Sequence, residues 1–363
     1  MNRIPFLKSL SLLRPAISTA SFIPALTHVL LKESDSGGQA LAYNDSIAIA
    51  VAVDWPHGDT CLPGDLLIKS LNSFSGDQLS VSPDIEGGVL LKSGRSRVTL
   101  KTLPAENYPF TSPWDQEPEA TIEVGTSMLR GIELCVGNVG HDLTHPEQMG
   151  VTLDEAAGKA VLYATDNWTI SRFATADKIK LPAGSPVILP TAFCTNLLAL
   201  AKAFPEDEVD IDLHPTCVVA RFGKKAKLFT KLPAADVEPM DFDRVIEKHV
   251  KLASISSVSS AIPVGFTAAI DRALLLLNGV PNKSTKVGAD ASSIRLNTAS
   301  DAGECADTLE YELAYELQEA VHIDPSLVAR NLSACAVMAF RQRAIVLASA
   351  DHAFVHLVSN VAG

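Results

Sequence analysis

Ser93-Gly94-Arg95-Ser96-Arg97-Val98-Thr99-Leu100-Lys101-Thr102-Leu103-Pro104-Ala105-Glu106-Asn107-Tyr108-Pro109 is the stretch on which the fold turns. After the Ser-Gly turn, Val98 and Leu100 point to one face while Arg97, Thr99 and Lys101 point to the other, the period of a half-buried antiparallel strand. Prolines at 104 and 109 mark its exit. Upstream, Gln78 to Val81 and Gly88 to Lys92 read as two more strands.

Working outward, the same succession of segments returns twice more, which is the mark of an internal repeat. The first pass opens with a helix expected over Ile4 to Ile17 and strands at Thr27 to Lys32, Gln39 to Tyr43 and Ser46 to Val53, the last two joined by an Asn44-Asp45 turn. Cys61-Leu62-Pro63 then leads a helix over Gly64 to Phe74. The second pass has a helix over Val124 to Asn138, where Met128, Leu129, Ile132, Cys135 and Val136 recur at helical spacing. Strands Ala160 to Ala164 and Trp168 to Ala174 follow, then Ile188-Leu189-Pro190, a helix over Thr191 to Ala203, and strands Val209 to Leu213, Val218 to Phe222 and Ala226 to Leu232. The third has a helix over Pro263 to Leu277, strands at Ile294 to Asn297 and Tyr311 to Leu317, a proline-led helix over Ser326 to Ala334, and strands Ala336 to Arg341, Ala344 to Ser349 and Ala353 to Val358. Pro63, Pro190 and Pro325 each stand at a helix start, where no backbone donor is required. The expected architecture is α+β, three copies of one unit over residues 1–116, 117–242 and 243–363, with turn-rich or charged connections at Ser112 to Pro118 and Asp236 to Val250.

The chain has 363 residues, 47% of them hydrophobic and 6% aromatic, enough for several cores. A formal net charge of −12 excludes a protein that coats itself on nucleic acid through a globally basic surface. Six cysteines, at 61, 135, 194, 217, 305 and 335, have no CxxC spacing and sit mostly in apolar runs, so reduced, buried thiols of a cytoplasmic protein are expected. No apolar run approaches the length of a membrane span. Residues 1–32 lack acidic side chains and carry Arg3, Lys8 and Arg14 among serines, which is also how a transit peptide reads.

The Ser93 to Pro109 string closely resembles the end of the first domain of bacterial β sliding clamps, the processivity subunits of replicative DNA polymerase. Leu12-Leu13-Arg14-Pro15 and the Ala164-Thr165-Asp166 turn are similar to two further signatures of that family, and the likeness weakens towards the C-terminus, as suits a divergent member. The resemblance implies three domains per chain, each with two helices inside and sheets outside. Two chains close head to tail into a ring around double-stranded DNA, opened by a clamp loader and holding DNA polymerase and other proteins through short peptide motifs. It implies no cofactor, no metal and no catalytic site of its own.

Carried onto this chain, the helices facing DNA bear Lys8, Arg14, Lys69, Arg130, Lys202, Arg272 and Arg330, sequence-independent phosphate contacts of the kind a mobile tether needs. The pocket for partner peptides uses Thr165, Asn167, Trp168, Thr169 and Ile170, with Pro239, Val245, Val355 and Leu357. The seam between chains uses Tyr108 and Phe110 against Leu275 and Leu276. Three departures stand out. Asn167-Trp168-Thr169 occupies the place of the family's Gly-His-Arg, the segment before Pro24 is several residues shorter and lacks the arginine often found there, and His141, His145 and Gln148 replace aromatic DNA contacts.

Enzyme chemistry finds little support in the sequence. His141 and His145 have the i, i+4 spacing of a helical metal site, yet Asp142 stands where zinc proteases carry glutamate and no third ligand is evident. No glycine loop is patterned to cradle phosphate, no GxSxG elbow occurs, and the glutamates of 310–319 read as a solvated edge. A clamp homologue that dimerises without supporting synthesis, and a small-ligand binder or enzyme on the same fold, remain as alternatives.

Overall fold

The computed structural model describes residues 1–34, 37–84, 87–111, 113–234, 237–290, 292–311, 320–341 and 343–361. One succession of elements runs through it three times. In the first repeat a bridge from Asn2 to Gln78 precedes α1 (Arg3–Ser11), then come β1 (His28–Ser34), β2 (Gly37–Tyr43), β3 (Ile47–Val53), β4 (Thr60–Pro63), α2 (Gly64–Ser73), β5 (Ser80–Pro83), β6 (Gly88–Ser93) and β7 (Ser96–Lys101). The second comprises β8 (Ala120–Glu123), α3 (Thr126–Val136), β9 (Gly150–Ala156), β10 (Lys159–Thr165), β11 (Thr169–Lys178), β12 (Val187–Pro190), α4 (Thr191–Ala203), β13 (Val209–Leu213), β14 (Cys217–Phe222) and β15 (Ala226–Lys231). A connection bearing α5 (Phe242–Glu247) and α6 (Ile255–Val258) leads to the third: β16 (Ser260–Ala261), α7 (Phe266–Leu276), β17 (Thr285–Ala289), β18 (Ser293–Ser300), β19 (Gly303–Glu310), β20 (Val321–Ile323), α8 (Pro325–Ala329), β21 (Val337–Arg341), β22 (Ala344–Ala348) and β23 (Phe354–Ser359).

The chain forms two compact units, Met1–Gly125 with Ala192–Ala234, and Thr126–Thr191 with Ala235–Gly363. In the first unit, an eight-stranded sheet of order β4-β1-β2-β3-β15-β14-β13-β8 joins halves of two repeats, Val51 of β3 facing Ala226 of β15. In the second, β12-β9-β10-β11-β23-β22-β21-β16 does the same, Ile170 of β11 facing Leu357 of β23. Each unit also carries one smaller sheet, β5-β6-β7 in the first and β19-β18-β17-β20 in the second. Every strand pairing among the described residues is antiparallel, the pattern that lets one face pack on helices while the other meets water.

Local chemistry explains the turns. Asn44 Oδ1 accepts the amides of Ser46 and Ile47, Asp166 Oδ1 those of Trp168 and Thr169, and Ser300 Oγ that of Ala302, so the hairpin between second and third strands is turned by a side-chain oxygen in every repeat. Gly94 has φ +60°, the left-handed conformation that the tight β6–β7 hairpin demands. At Gly131 of α3, an added Cβ would lie 2.6 Å from Leu162 and 2.7 Å from Phe173, so glycine lets the helix sit directly on β10 and β11.

Several expected boundaries shift. The first helix ends at Ser11 and gives way to a 3-10 turn at Arg14–Ala16, because Pro15 has no amide to continue the α-helical ladder. The last helix is cut to Pro325–Ala329, with a separate 3-10 turn at Leu332–Ala334. Strands β8, β9, β16, β17, β19 and β20 have no counterpart among the expected strands; β19, GECADTLE, is polar and exposed on alternate residues and has no apolar run to announce it. Of the strand expected from Tyr311, residues 312–317 lie outside the described residues, as do the glutamates at 312, 316 and 319. Tyr311 itself is buried, its hydroxyl donating to the Met338 carbonyl at 2.8 Å. The six cysteines are free thiols, four of them buried, and burial pushes Cys61 up to about 11 and Cys335 up to about 12. No helix among the described residues is long and apolar enough to cross a membrane.

Candidate functional site

The β10–β11 turn is built around Asp166. Besides the amides of Trp168 and Thr169, its Oδ1 accepts the Thr169 hydroxyl at 2.8 Å, and the Thr165 hydroxyl donates to the Thr169 carbonyl at 2.7 Å. Asn167 takes φ 71°, and its Oδ1 accepts Gln148 Nε2 at 2.7 Å. The turn is thereby fixed, and Trp168 projects from it with 49% of its surface exposed. An exposed tryptophan held by a fixed turn offers a large apolar contact surface.

Trp168 borders a concavity of about 420 Å³ that lies wholly within the second unit. Val280 and Pro281 after α7, Leu327 of α8 and Val361 supply its apolar surface; Lys283, Asp166, Asp324 and Arg330 supply its charge. Arg330 Nη1 donates to Asp166 Oδ2 at 2.6 Å, which pins the end of α8 to the turn. Arg330, expected on the DNA-facing side, is therefore engaged at this groove.

His356 holds the groove from beneath. It is completely buried on β23; Nε2 lies 3.1 Å from the Leu327 carbonyl and Nδ1 2.9 Å from Ser171 Oγ. A carbonyl only accepts, so Nε2 carries the proton and the Ser171 hydroxyl donates to Nδ1. Desolvation pushes the imidazole down to about 4, opposed by the hydrogen bond to Leu327 and the charge of Asp166, so it is neutral near pH 7.

Alternation along β23 sends Val355 and Leu357 to the opposite face from His356. There they meet Ile170, with Val245 packed alongside and Pro239 half-buried next to Met240. That apolar wall is covered: Val355 and Leu357 are each 1% exposed beneath Phe242, Ile246, Val250 and Ile255 of the connection. The Phe242 ring stacks on Tyr163 at 4.9 Å and 7°, while Asp243 accepts the Tyr163 hydroxyl at 2.8 Å and Arg172 Nε at 3.0 Å. The nine expected pocket residues thus divide. Trp168 stands at an open groove, whereas Ile170, Val355 and Leu357 form the floor beneath α5.

The expected phosphate contacts differ in their surroundings. Lys8 and Arg14 are exposed in the first unit, and Lys202 is exposed in the last turn of α4. Lys69 pairs with Asp65 at 2.6 Å, Arg130 with Glu133 at 2.7 Å, and Arg272 with Asp307 of β19. Such exposed pairs are weak and exchangeable. Arg14 and Lys69 share a cavity of about 590 Å³ with Ile17, Leu66 and Ile68. His141 and His145 lie in an irregular turn that Asp142 closes on Thr144, and His145 faces Glu147 at 3.0 Å, so the two imidazoles do not share a helix face. Among the described residues no cluster of three His, Cys, Asp or Glu side chains is placed to hold a metal.

Of the expected seam residues, Tyr108 and Phe110 are taken up by the first unit's own core. Tyr108 is 9% exposed and donates to the His28 carbonyl at 3.3 Å, and the Phe110 ring lies 4.9 Å from Tyr43 and 5.0 Å from Trp114. Leu275 of α7 is 77% exposed, with Leu276 half-buried beside it. More informative are the strand edges. Among the described residues β7 and β19 each end a sheet, β7 flanked by exposed Arg95, Arg97 and Lys101 and β19 by exposed Glu304 and Glu310. Sequence reasoning missed these edges as well as His356 and Val280, and it singled out Gln148 only in place of an aromatic DNA contact, not as the brace of the Asn167 turn.

Residues 1–112 match the family described as DNA polymerase III beta subunit, N-terminal domain. A relative from Salmonella typhimurium named Beta sliding clamp is 26% identical over 256 residues, covering 69% of this chain and 68% of its own length. The solved beta subunit of Streptococcus pyogenes DNA polymerase superposes with a TM-score of 0.85 at 20% identity, covering 100% of this chain and 99% of that one. The DnaN sliding clamp of Bartonella birtlesii, bound to griselimycin, gives 0.87 at 18% identity, covering 100% and 98%.

Proposed function

We propose that this chain, a DNA sliding clamp with the fold of the DNA polymerase III beta subunit, closes head to tail with a second copy around duplex DNA and tethers the replicative polymerase there. The observation that carries the proposal is the pairing rule of the repeats. The third strand of one repeat's first half joins the last strand of the next repeat: β3 with β15, and β11 with β23. By that rule β19 of the third repeat seeks the last strand of a first repeat, and β7 is that strand in another copy. Backbone groups at a sheet edge stand ready for such addition, and Arg97 and Lys101 on one side complement Glu304 and Glu310 on the other. Leu275 supplies apolar area at the same seam.

On this reading the repeats span 1–116, 117–242 and 243–363, and their helices face the duplex. Lys8, Arg14, Lys69, Arg130, Lys202 and Arg272 make weak, salt-sensitive phosphate contacts that allow sliding. Retention is topological, and tethering raises the local concentration of polymerase at the primer end. Polymerase and other partners dock a short peptide in the groove beside Trp168, and a clamp loader opens the ring. The chain itself needs no catalytic group, since polymerisation belongs to the partner.

The test is retention on DNA. Loaded on a nicked circle by a loader shown to work, the protein stays on the circle and leaves once the circle is cut. Equal retention on both forms would replace the proposal with ordinary charge-driven binding.

A further inference from the structure

The groove beside Trp168 does not end at Lys283. Ser284, the next residue, lines both that groove and a second concavity of about 690 Å³ on the solvent face of the β19-β18-β17-β20 sheet. A second tie joins the two. The His322 carbonyl accepts the Val361 amide at 2.8 Å, and Val361 lines the first hollow while His322 lines the second. The two hollows therefore adjoin, with Ser284 on the saddle between them.

Strand register lays out the second hollow. Thr285 and Val287 are buried, so alternation turns Lys286 of β17 to the exposed face. There Lys286 stands between Asn297 of β18 and His322 of β20, and Asn297 in turn faces Ala306 of β19. Ala306 and Ala299 are both exposed and carry only a methyl group, which leaves the sheet open beside the lysine. Ser284 Oγ lies 3.3 Å from His322 Nδ1 and holds the imidazole at the rim.

The acids of the two hollows are engaged or remote. Asp166 is taken by its turn and by Arg330. Asp324 Oδ1 accepts the Ser326 amide at 2.8 Å and the Ser326 hydroxyl at 2.6 Å at the start of α8. Glu304 stands on β19, two strands from Lys286, a separation of about 10 Å. Lys283 and Lys286, by contrast, make no ion pair among the described residues. On a chain of net charge −12, two such lysines along one depression are a local reversal of sign.

We infer that the partner segment seated at Trp168 runs on over Ser284 into the second hollow and is acidic there, two carboxylates three residues apart meeting Lys283 and Lys286. Three residues of extended peptide span about 10 Å, the same interval as the two lysines on their own extended segment. This rests on the reading of the Trp168 groove as the docking place of partner peptides, and adds the chemistry of the stretch beyond the apolar anchor. A segment with an acidic flank is selected and a basic one is turned away.

Four fluorescein-labelled peptides titrated against the full-length protein by anisotropy test the inference. All share a Leu-Phe anchor; two carry Glu-Ala-Ala-Glu before or after it, and two carry Gln-Ala-Ala-Gln at the same places. At low salt one glutamate peptide is expected to bind about tenfold tighter than its glutamine counterpart, each exposed charge pair contributing about threefold. In about 1 M salt, where the Debye length falls to about 3 Å, the advantage is expected to vanish. Lys286→Glu should remove most of the advantage, bind the glutamine peptides as wild type does, and keep the wild-type melting temperature. Adding Lys283→Glu should reverse the preference, so that Lys-Ala-Ala-Lys at the same place binds better than Glu-Ala-Ala-Glu, a rescue that loss of structure cannot give. Equal binding of glutamate and glutamine peptides overturns the inference, and the groove reading survives it if Trp168→Ala weakens both. A glutamate advantage that persists in Lys286→Glu overturns it as well, since the charges are then read elsewhere. So does a single-stranded oligonucleotide that loses affinity in Lys286→Glu while the peptides do not, which would make the strip a phosphate track. If no peptide binds, the inference falls together with the groove, and retention on nicked circles decides the clamp reading separately.

Discussion

Arg330 and Asp166, 164 positions apart in sequence, meet at 2.6 Å and join the end of α8 to the β10–β11 turn. Asp166 spends one oxygen on shaping that turn and the other on the guanidinium. Arg330 is one-third exposed and Asp166 mostly covered, so the pair borders the groove and is not a free surface pair. An arginine held by a carboxylate at the groove is not readily available to phosphate.

The consequence is measurable. Arg330→Ala is expected to weaken a fluorescent clamp-binding peptide several-fold and to leave the salt slope of DNA binding at its wild-type value. Asp166→Ala removes the acceptor of four hydrogen bonds, and thermal unfolding should show a loss of about 2 kcal/mol or more.

Trp168 presents half its surface at the groove without supporting the core. Trp168→Ala is expected to cost about 2 kcal/mol or more in peptide binding, on the order of 30-fold, as truncation of a central aromatic anchor does. Calorimetric titration reads the affinity, and a melting temperature within a degree or two of wild type shows that the fold is intact.

At the seam, reversing charge on the β7 edge and adding charge to α7 should act together. Arg97→Glu combined with Leu275→Asp is expected to sediment as a monomer at micromolar concentration, where wild type sediments as a dimer. Adding Glu304→Lys to the second copy, in a mixture of the two variants with Leu275 restored, should recover part of the dimer by matching the reversed charges.

Acid should loosen the groove before it unfolds the whole chain. His356 binds its proton only near pH 4 in the fold but near 6.5 when unfolded, so the unfolded state holds more protons between those values and stability rises with pH there. The neutral histidine's contribution is complete above about 6.5 and is lost as pH falls towards 4, at most on the order of 3 kcal/mol. Asp166 and Arg330 are the charges that face it, one favouring and one opposing protonation. The melting temperature of wild type should therefore fall through this window more steeply than that of His356→Gln, which has no proton to take up.

The fold was legible in its periodicities. Three apolar-helix, strand, proline, helix, strand successions were written in the residues, and the Asn44 and Asp166 turns and the Ser93-Gly94 hairpin carried their own chemistry. The polar strand β19 was not legible, because exposed alternate positions have no apolar signature, and neither was the early end of α1 beyond what Pro15 announces. Within the candidate site, the turn from Thr165 to Ile170 could be read directly. What could not be read was the covering of Val355 and Leu357 by α5, since burial by a connection depends on tertiary placement, or the role of His356, one of nine histidines, whose meaning comes from two partners distant in sequence. Tyr108, a conspicuous aromatic after the family-like string, packs within its own unit, which the sequence alone does not announce.

The middle repeat is shared between the two compact units: α3 with β9 to β12 belongs to one, and β8, β13 to β15 and most of α4 to the other. The compact units are therefore out of phase with the repeats by half a repeat, and the blocks in which the protein opens are expected to follow the units. A fragment cut at a repeat boundary would inherit a severed sheet, whereas amide exchange should report protection that changes in step across the β3–β15 and β11–β23 pairings, joining halves of neighbouring repeats into single unfolding events.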